Sequence, residues 1–214
     1  MTATQIKNLT LRDVIQKFEL VASQDRTFFS EWQQALPPLA PSDETALAEI
    51  EAEYFYLSQQ PMAEGAVKMV VLSRLLSLAG FYRWSTTDRR SSPFTMTTEY
   101  TVKIQATDDG KILRGVIDIL VLHDKLWALL VESKRNTFSL EPALPQALTY
   151  MCGSPHPEYP TFGLISNGAN SLLLKLEGKT YAQSKEFSLR NVGDLPELFW
   201  VLKRIGAIVQ TMVM

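Results

Sequence analysis

The sequence predicts an α/β fold in which a mixed β-sheet is covered by helices on both faces. Residues 111–134 contain two strands that are apolar nearly throughout, so both faces of their sheet should be buried. Residues 63–79 form the most hydrophobic helical stretch of the chain, which indicates a core helix. The short apolar segment 161–166 can lie parallel to the second of those strands after a crossover helix. Together these observations favour a layered α/β domain.

Composition restricts the class of protein. The chain has 214 residues, 46% of them hydrophobic, which is enough for one compact unit with a sizeable core. It has no run of 18 apolar residues and no hydrophobic leader, so we expect a soluble, cytoplasmic protein without a membrane partner. A single cysteine and two histidines exclude an internal disulfide and leave little for zinc. The oligomeric state is not predicted.

The N-terminal segment 1–60 carries no chemical motif and is predicted to be a helical extension packed on the main domain, 61–214. Its predicted helices are 10–23, 27–36 and 42–60. The first begins with Thr10 and Asp13, a pair typical of a helix N-cap. We expect this segment to act as a lid, a brace or a partner surface.

The main domain continues with the helix 63–79 and a half-buried strand at 97–106. Asp109-Gly110 predicts a two-residue hairpin turn into the next strand. This turn would place Thr101 opposite Asp118.

The second half of the main domain is predicted to alternate helices and strands. Its predicted elements are strands at 112–123 and 126–134, a helix at 142–152, the strand 161–166, a further hairpin and a closing helix at 194–212. Pro142 suits the beginning of the first helix, and Gly153 suits its end.

Three charged residues interrupt the apolar strands. Asp118 lies in the middle of the first strand, while Glu132 and Lys134 end the second. Because strand side chains alternate between faces, Glu132 and Lys134 must share a face. A turn formed by residues 124–126 would place Asp118 opposite Glu132, so that all three groups lie on one face.

Two interpretations of this cluster are open. Buried charges are costly unless they are paired or bind a metal ion. Lys134 could form a structural ion pair with Glu132 or Asp118. Alternatively, the two carboxylates could bind a hard divalent cation, with the lysine beside an attacking water or a phosphate.

Nucleic-acid binding would need a local basic patch, because the net charge of −2 argues against a surface that coats nucleic acid. The candidate residues are Arg89, Arg90, Lys103, Arg114 and Arg135. Lys103 and Arg114 are predicted to share the face of the two acids. For each residue, the simpler interpretation is a solvated surface charge.

The order of helix, three-stranded meander, helix and strand, with Asp118 on the second strand and Glu132-Ser133-Lys134 on the third, resembles the PD-(D/E)xK nuclease superfamily. The resemblance implies a restriction-endonuclease-like fold. It also implies that Asp118, Glu132 and the Ser133 carbonyl bind Mg²⁺, for which Mn²⁺ can substitute. Lys134 would act on the water and the scissile phosphate. Ile117 departs from the proline that precedes the aspartate in the family motif.

Gln146 and Tyr150 resemble the QxxxY element of the RecB-like branch and of the N-terminal nuclease domain of type I restriction R subunits. Glu64 resembles the first-helix acid of that domain and would be a further metal ligand. Ile165-Ser166-Asn167-Gly168 resembles the strand end of the same domain. The resemblance covers residues 62–176 and implies DNA as a partner, together with possible restriction-modification subunits. No motor domain follows in this sequence, so a complete R subunit is not expected.

Two functions are therefore predicted as alternatives. The first is a Mg²⁺-dependent deoxyribonuclease in which Gln146 and Tyr150 position DNA or the catalytic lysine. The second is a catalytically inactive nuclease-fold module for protein or nucleic-acid binding, in which the acids persist as ion pairs. Asp118→Asn is expected to maintain or raise metal-free stability, because it relieves repulsion between the carboxylates of Asp118 and Glu132.

Overall fold

The computed structural model describes residues 4–82, 92–105 and 112–212. These residues form one mixed eight-stranded sheet flanked by helices, which confirms the predicted α/β class.

The sheet follows the order β1-β4-β5-β6-β7-β8-β2, and β3 also pairs with β4. The strands are β1 Thr4–Gln5, β2 Val21–Ala22, β3 Phe94–Gln105, β4 Ile112–His123, β5 Leu126–Ser133, β6 Thr161–Ser166, β7 Asn170–Glu177 and β8 Thr180–Ser188. The helices are α1 Leu11–Phe18, α2 Pro41–Leu57, α3 Glu64–Val67, α4 Ser73–Leu78, α5 Leu144–Met151 and α6 Asp194–Thr211. A π-helical turn, Lys68–Leu72, joins α3 to α4.

Apolar side chains cover both faces of the sheet. On one face, α2, α3, α4 and α6 pack with Ile119 and Val121 of β4. On the other face, α1 and α5 pack with Leu113 and Ile117 of the same strand. The prediction that the helical segments 63–79 and 142–152 enclose the sheet is therefore confirmed.

The N-terminal segment contributes strands as well as helices. β1 pairs with β4, and β2 pairs with β8. The cap of α1 is confirmed, because the Thr10 hydroxyl accepts a hydrogen bond from the Asp13 N–H and the Asp13 carboxylate accepts one from the Thr10 N–H. The helix ends at Phe18, earlier than predicted, since Glu19 adopts a left-handed conformation. The helix predicted at 27–36 is only a 3-10 turn, Ser30–Trp32.

The pairing of β4 with β5 near Asp118 has the predicted register, although the turn between the two strands is shorter than predicted. The turn contains Asp124 and Lys125 only, so the predicted three-residue turn is wrong. A bulge then inserts Ala128 between the partners of Val121 and Leu122 and shifts the pairing by one residue. Beyond the bulge the register matches the prediction, and it directs Asp118 toward the end of β5 that carries Glu132.

The predicted register between β3 and β4 is wrong by two residues. Thr101 pairs with Val116 rather than facing Asp118, and Lys103 pairs with Arg114. The Asp109-Gly110 turn on which the prediction relied lies outside the described residues. Glu99 falls between two paired positions of β3, opposite Asp118 in this register, and has a φ of 52°.

The crossover connection is confirmed. β5 continues through α5 into β6, and the two strands are parallel, with Glu132 beside Ile165 and Ser133 beside Ser166. The C-terminal end of β5 therefore lies inside the sheet, between β4 and β6. This position explains why Glu132 and Ser133 are buried.

Candidate active site

The regular alternation of β4 side chains between the two faces of the sheet is interrupted at Asp118. Ile117 belongs to the core beside α5, whereas Ile119 belongs to the opposite core. Asp118 is 8% exposed, and its Oδ2 accepts hydrogen bonds from the Ser133 N–H at 2.7 Å and from the Ser133 hydroxyl at 2.9 Å. The carboxylate is therefore fixed by the residue that separates Glu132 from Lys134.

Glu132 and Lys134 form an ion pair, as one of the two interpretations of the sequence predicts. The Glu132 residue is only 2% exposed, and its Oε2 is buried without a hydrogen-bond partner among the described residues. Burial, opposed by Lys134 and assisted by Asp118, raises the pKa of the Glu132 carboxyl to about 7. One carboxylate oxygen therefore remains available for a proton or a cation.

Gln146 and Tyr150 connect Lys134 to the sheet. The Gln146 Oε1 lies 3.5 Å from the Lys134 Nζ, and its Nε2 donates to the Tyr150 hydroxyl at 3.0 Å. That hydroxyl donates to the Val116 carbonyl at 2.9 Å and accepts from the Val116 N–H at 3.2 Å. The ring of Tyr150 passes so close to Gly115 that an added Cβ would lie 2.6 Å from it.

This arrangement refines the predicted roles of the QxxxY pair. Tyr150 is 1% exposed, and its hydroxyl contacts Gln146 and the Val116 backbone. Burial raises the pKa of its hydroxyl to about 12, and the group therefore stays protonated and acts as a hydrogen-bonding link. Gln146 is partly exposed and contacts Lys134 directly. The pair therefore contacts Lys134 through Gln146.

Glu64 lies at the beginning of α3 and reaches the site through Lys68. The Lys68 Nζ lies 3.7 Å from the Glu64 Oε1, 3.1 Å from the Glu99 Oε1 and 3.0 Å from the Asp118 Oδ1. Although burial opposes its charged form, the hydrogen bonds and charges of Asp118 and Glu99 raise the pKa of Lys68 to about 12. A second lysine thus stands among the acids.

Sequence reasoning missed Lys68 and Glu99. Lys68 follows Glu64 by four residues, a helical spacing that places both side chains on one face and could have identified it. Glu99 lies opposite Asp118 only in the observed register. The predicted register, which differs from the observed one by two residues, placed Thr101 opposite Asp118 instead.

The structure describes three of the five residues that were predicted to contact nucleic acid. Lys103 and Arg114 are direct cross-strand partners and are exposed. Arg135 is also exposed and directly follows Lys134. Arg89 and Arg90 lie outside the described residues.

The oxygen donors of the site suit a hard cation, but the acidic side chains are not gathered around one point. Carboxylate and carbonyl oxygens are the ligands that Mg²⁺ and Mn²⁺ prefer. The Glu132 Oε2, buried and without a partner in the described chain, is a free donor of this kind. Over residues 4–82, 92–105 and 112–212, however, no three His, Cys, Asp or Glu side chains are grouped closely enough to hold a metal ion. Lys68 occupies the space between the acids.

No protein-family model and no curated protein matches this chain. In the part of the chain that the structure describes, no helix has the length and apolar character needed to span a membrane.

Proposed function

We propose that the protein is a metal-dependent deoxyribonuclease that hydrolyses phosphodiester bonds. The observation that carries the proposal is the Glu132 Oε2, a buried carboxylate oxygen without a partner among the described residues, beside Lys134 and close to Asp118. A structural ion pair alone does not explain why an acceptor should remain unsatisfied in the core. The resemblance to the nuclease domain of type I restriction R subunits supports the same conclusion.

Asp118, Glu132 and the Ser133 carbonyl would hold Mg²⁺ or Mn²⁺, with Glu64 as a further ligand. When bound, such a cation orients water and neutralises charge on a phosphoryl group. Ser133 keeps the Asp118 carboxylate in one orientation through its two hydrogen bonds. The buried position of Glu132 excludes competing water from its unpaired oxygen.

Lys134 would act on the nucleophilic water or on the scissile phosphate. Its ammonium is positioned by Glu132 on one side and by Gln146 on the other. Gln146 is itself held by Tyr150, which is attached to the backbone of β4 at Val116. This chain of contacts fixes the lysine relative to Asp118, which lies two residues further along β4.

DNA is the proposed substrate, and the exposed pair Lys103 and Arg114 supports it. Like charges directly opposite each other on neighbouring strands are destabilising. A phosphate between them would remove that repulsion. Arg114 lies four positions from Asp118 on β4. The sugar-phosphate backbone of a bound DNA could therefore extend from Lys103 and Arg114 toward the acids.

The proposal is tested with purified protein on supercoiled, linear and single-stranded DNA, in Mn²⁺, Mg²⁺ or EDTA. We expect cleavage of at least one substrate in the presence of a divalent cation and none in EDTA. Glu132→Gln, prepared in parallel, should be inactive because it removes the buried charge that would bind the cation. Equal cleavage by the wild type and Glu132→Gln would identify a contaminating nuclease and reject the proposal.

A second candidate is a catalytically inactive binding module with the same fold. Its support is the ammonium of Lys68, which already compensates Asp118. Under this candidate, Mn²⁺ and Mg²⁺ leave the melting temperature unchanged, whereas a nuclease is stabilised by its cation through mass action.

A further inference from the structure

Lys68 is surrounded by carboxylates from three separate elements. Glu64 comes from α3, Glu99 from β3 and Asp118 from β4, and one oxygen of each lies within 3.0–3.7 Å of the same ammonium nitrogen. The Lys68 side chain is 21% exposed, so the ammonium is largely withdrawn from water. It acts electrostatically as a cation that is already in place.

The backbone at Glu99 supports a special role for this cluster. Its φ of 52° is left-handed, a conformation that is unfavourable for a non-glycine residue. The neighbouring residues of β3 remain paired with β4 on both sides, as Thr98 with Ile119 and Tyr100 with Ile117. The distortion is therefore confined to the one residue that delivers its carboxylate to Lys68.

An independent feature indicates that a further cation belongs here. Glu132 is 98% buried, since only 2% of it is exposed, and its Oε2 has no partner among the described residues. The charges of Asp118 and Glu64 act on this same carboxyl. Lys68 satisfies Glu64, Glu99 and Asp118 but makes no described contact with Glu132. Lys134 pairs with the Glu132 Oε1, so the two ammonium groups together still leave the Glu132 Oε2 without a partner among the described residues.

We propose that Lys68 is a built-in competitor for the divalent cation, which binds fully only when the Lys68 ammonium withdraws and releases Asp118 and Glu99. The inference rests on the proposed function, because it concerns the cation of the same site. It adds Glu99 to the groups that bind the cation and assigns Lys68 a regulatory position that the sequence pattern does not reveal.

Distances explain the competition. Oxygens around an ammonium lie near 3 Å from its nitrogen, whereas Mg²⁺ requires oxygens at about 2.0–2.1 Å. The carboxylates that surround Lys68 are therefore spaced too widely for a divalent cation. This spacing agrees with the absence of a close group of three acidic ligands among the described residues. Because one nearby opposite charge changes the proton affinity of a carboxylate by about ten- to a thousandfold, removal of the ammonium should strengthen cation binding by a comparable factor.

The test is the dependence of the melting temperature on MnCl₂ concentration for the full chain, without DNA. Lys68→Met keeps the length of the side chain but removes its charge. We expect its half-saturating Mn²⁺ concentration to be at least about tenfold lower than that of the wild type. Lys68→Gln, which can still donate to Asp118, should also bind more tightly and replaces the methionine variant if that variant does not fold.

Three variants provide controls. Lys68→Arg keeps the charge and should keep the weak Mn²⁺ affinity. Lys125→Met removes an exposed lysine in the β4–β5 turn and should leave the affinity unchanged. Glu99→Gln combined with Lys68→Met should lose part of the gained affinity, because Glu99 is proposed to contact the cation.

The outcomes separate this inference from the proposed function. Unchanged or weaker Mn²⁺ binding by both uncharged variants, with clear binding by the wild type, overturns the competition but keeps the nuclease proposal. Absence of Mn²⁺ stabilisation in all variants overturns both. Binding by the uncharged variants alone confirms the competition and shows that Lys68 keeps the wild-type site closed.

Discussion

The Asp118 carboxylate accepts two hydrogen bonds from Ser133, one from its N–H at 2.7 Å and one from its hydroxyl at 2.9 Å. Through its other oxygen it contacts Lys68 at 3.0 Å. Asp118 is thus compensated in the absence of any metal. The expectation of a destabilising repulsion with Glu132, which was drawn from the sequence, omitted these partners.

Asp118→Asn should therefore lower the stability of the metal-free protein. The amide group cannot satisfy both Ser133 and the Lys68 ammonium, and a loss of about 1–3 kcal/mol is expected for such a buried, charge-assisted contact. Urea unfolding in EDTA measures the change. Asp124→Asn, in the exposed turn between β4 and β5, should have little effect because asparagine tolerates the left-handed conformation there. A stability of Asp118→Asn equal to that of the wild type would contradict the described contacts.

The pKa of Glu132 predicts a pH dependence of stability. Its folded-state pKa of about 7 lies above the ordinary value of 4.5, so the folded protein binds a proton more tightly than the unfolded chain. Stability from this group is fully present below pH 4.5 and is lost as the pH rises through about 7, with a total of roughly 3 kcal/mol.

Glu132→Gln removes this titration. In EDTA, the difference in unfolding free energy between Glu132→Gln and the wild type should increase in favour of the variant from pH 5 to pH 8. Urea denaturation at several pH values measures it. A difference that does not vary with pH would show that Glu132 titrates normally.

Tyr150→Phe should weaken both the fold and the orientation of Lys134. It removes a hydroxyl that contacts Val116 twice and Gln146 once, and buried groups left unpaired cost about 1–3 kcal/mol. We expect a lower melting temperature and, under single-turnover conditions, slower cleavage with little change in DNA affinity. Tyr159→Phe serves as the control. Reduced DNA affinity at an unchanged cleavage rate would argue for a direct role in DNA binding.

Lys103 and Arg114 should contribute to DNA affinity without affecting cation binding. Each phosphate contact that is lost reduces the slope of log affinity against log salt by about one unit. We therefore expect Lys103→Ala and Arg114→Ala to bind DNA more weakly in EDTA and with smaller slopes, measured by fluorescence anisotropy. Lys125→Ala is the control. Unchanged slopes would place the DNA elsewhere on the surface.

The sequence predicted the sheet strands and the covering helices well where apolar patterns are long. β4 begins and ends where the pattern predicts, as does β6. The sequence pattern predicted the alignment of Asp118 with Glu132 only because the shorter turn and the bulge at Ala128 compensate each other. Turn length and bulges depend on local backbone conformation, which a hydrophobic pattern does not specify.

The Lys68 and Glu99 contacts could not be predicted in the same way. They bring together a helix, β3 and β4, and they depend on a left-handed residue in the middle of a strand. A charged residue in a solvated strand gives no periodic signal of such a conformation. By contrast, the contact between Lys134 and Glu132 follows from their spacing of two at the end of β5, which is why the sequence predicted it.

Cleavage of DNA by Lys134→Met, compared with the wild type in Mn²⁺, tests the central claim most directly. The variant keeps Asp118 and Glu132 for cation binding but lacks the ammonium that would act on the water or the phosphate. We predict that the wild type cleaves DNA, and that Lys134→Met retains stabilisation by Mn²⁺ yet loses at least about a hundredfold in rate. Equal rates for the two proteins, or no cleavage by a wild type that Mn²⁺ also fails to stabilise, would contradict the account.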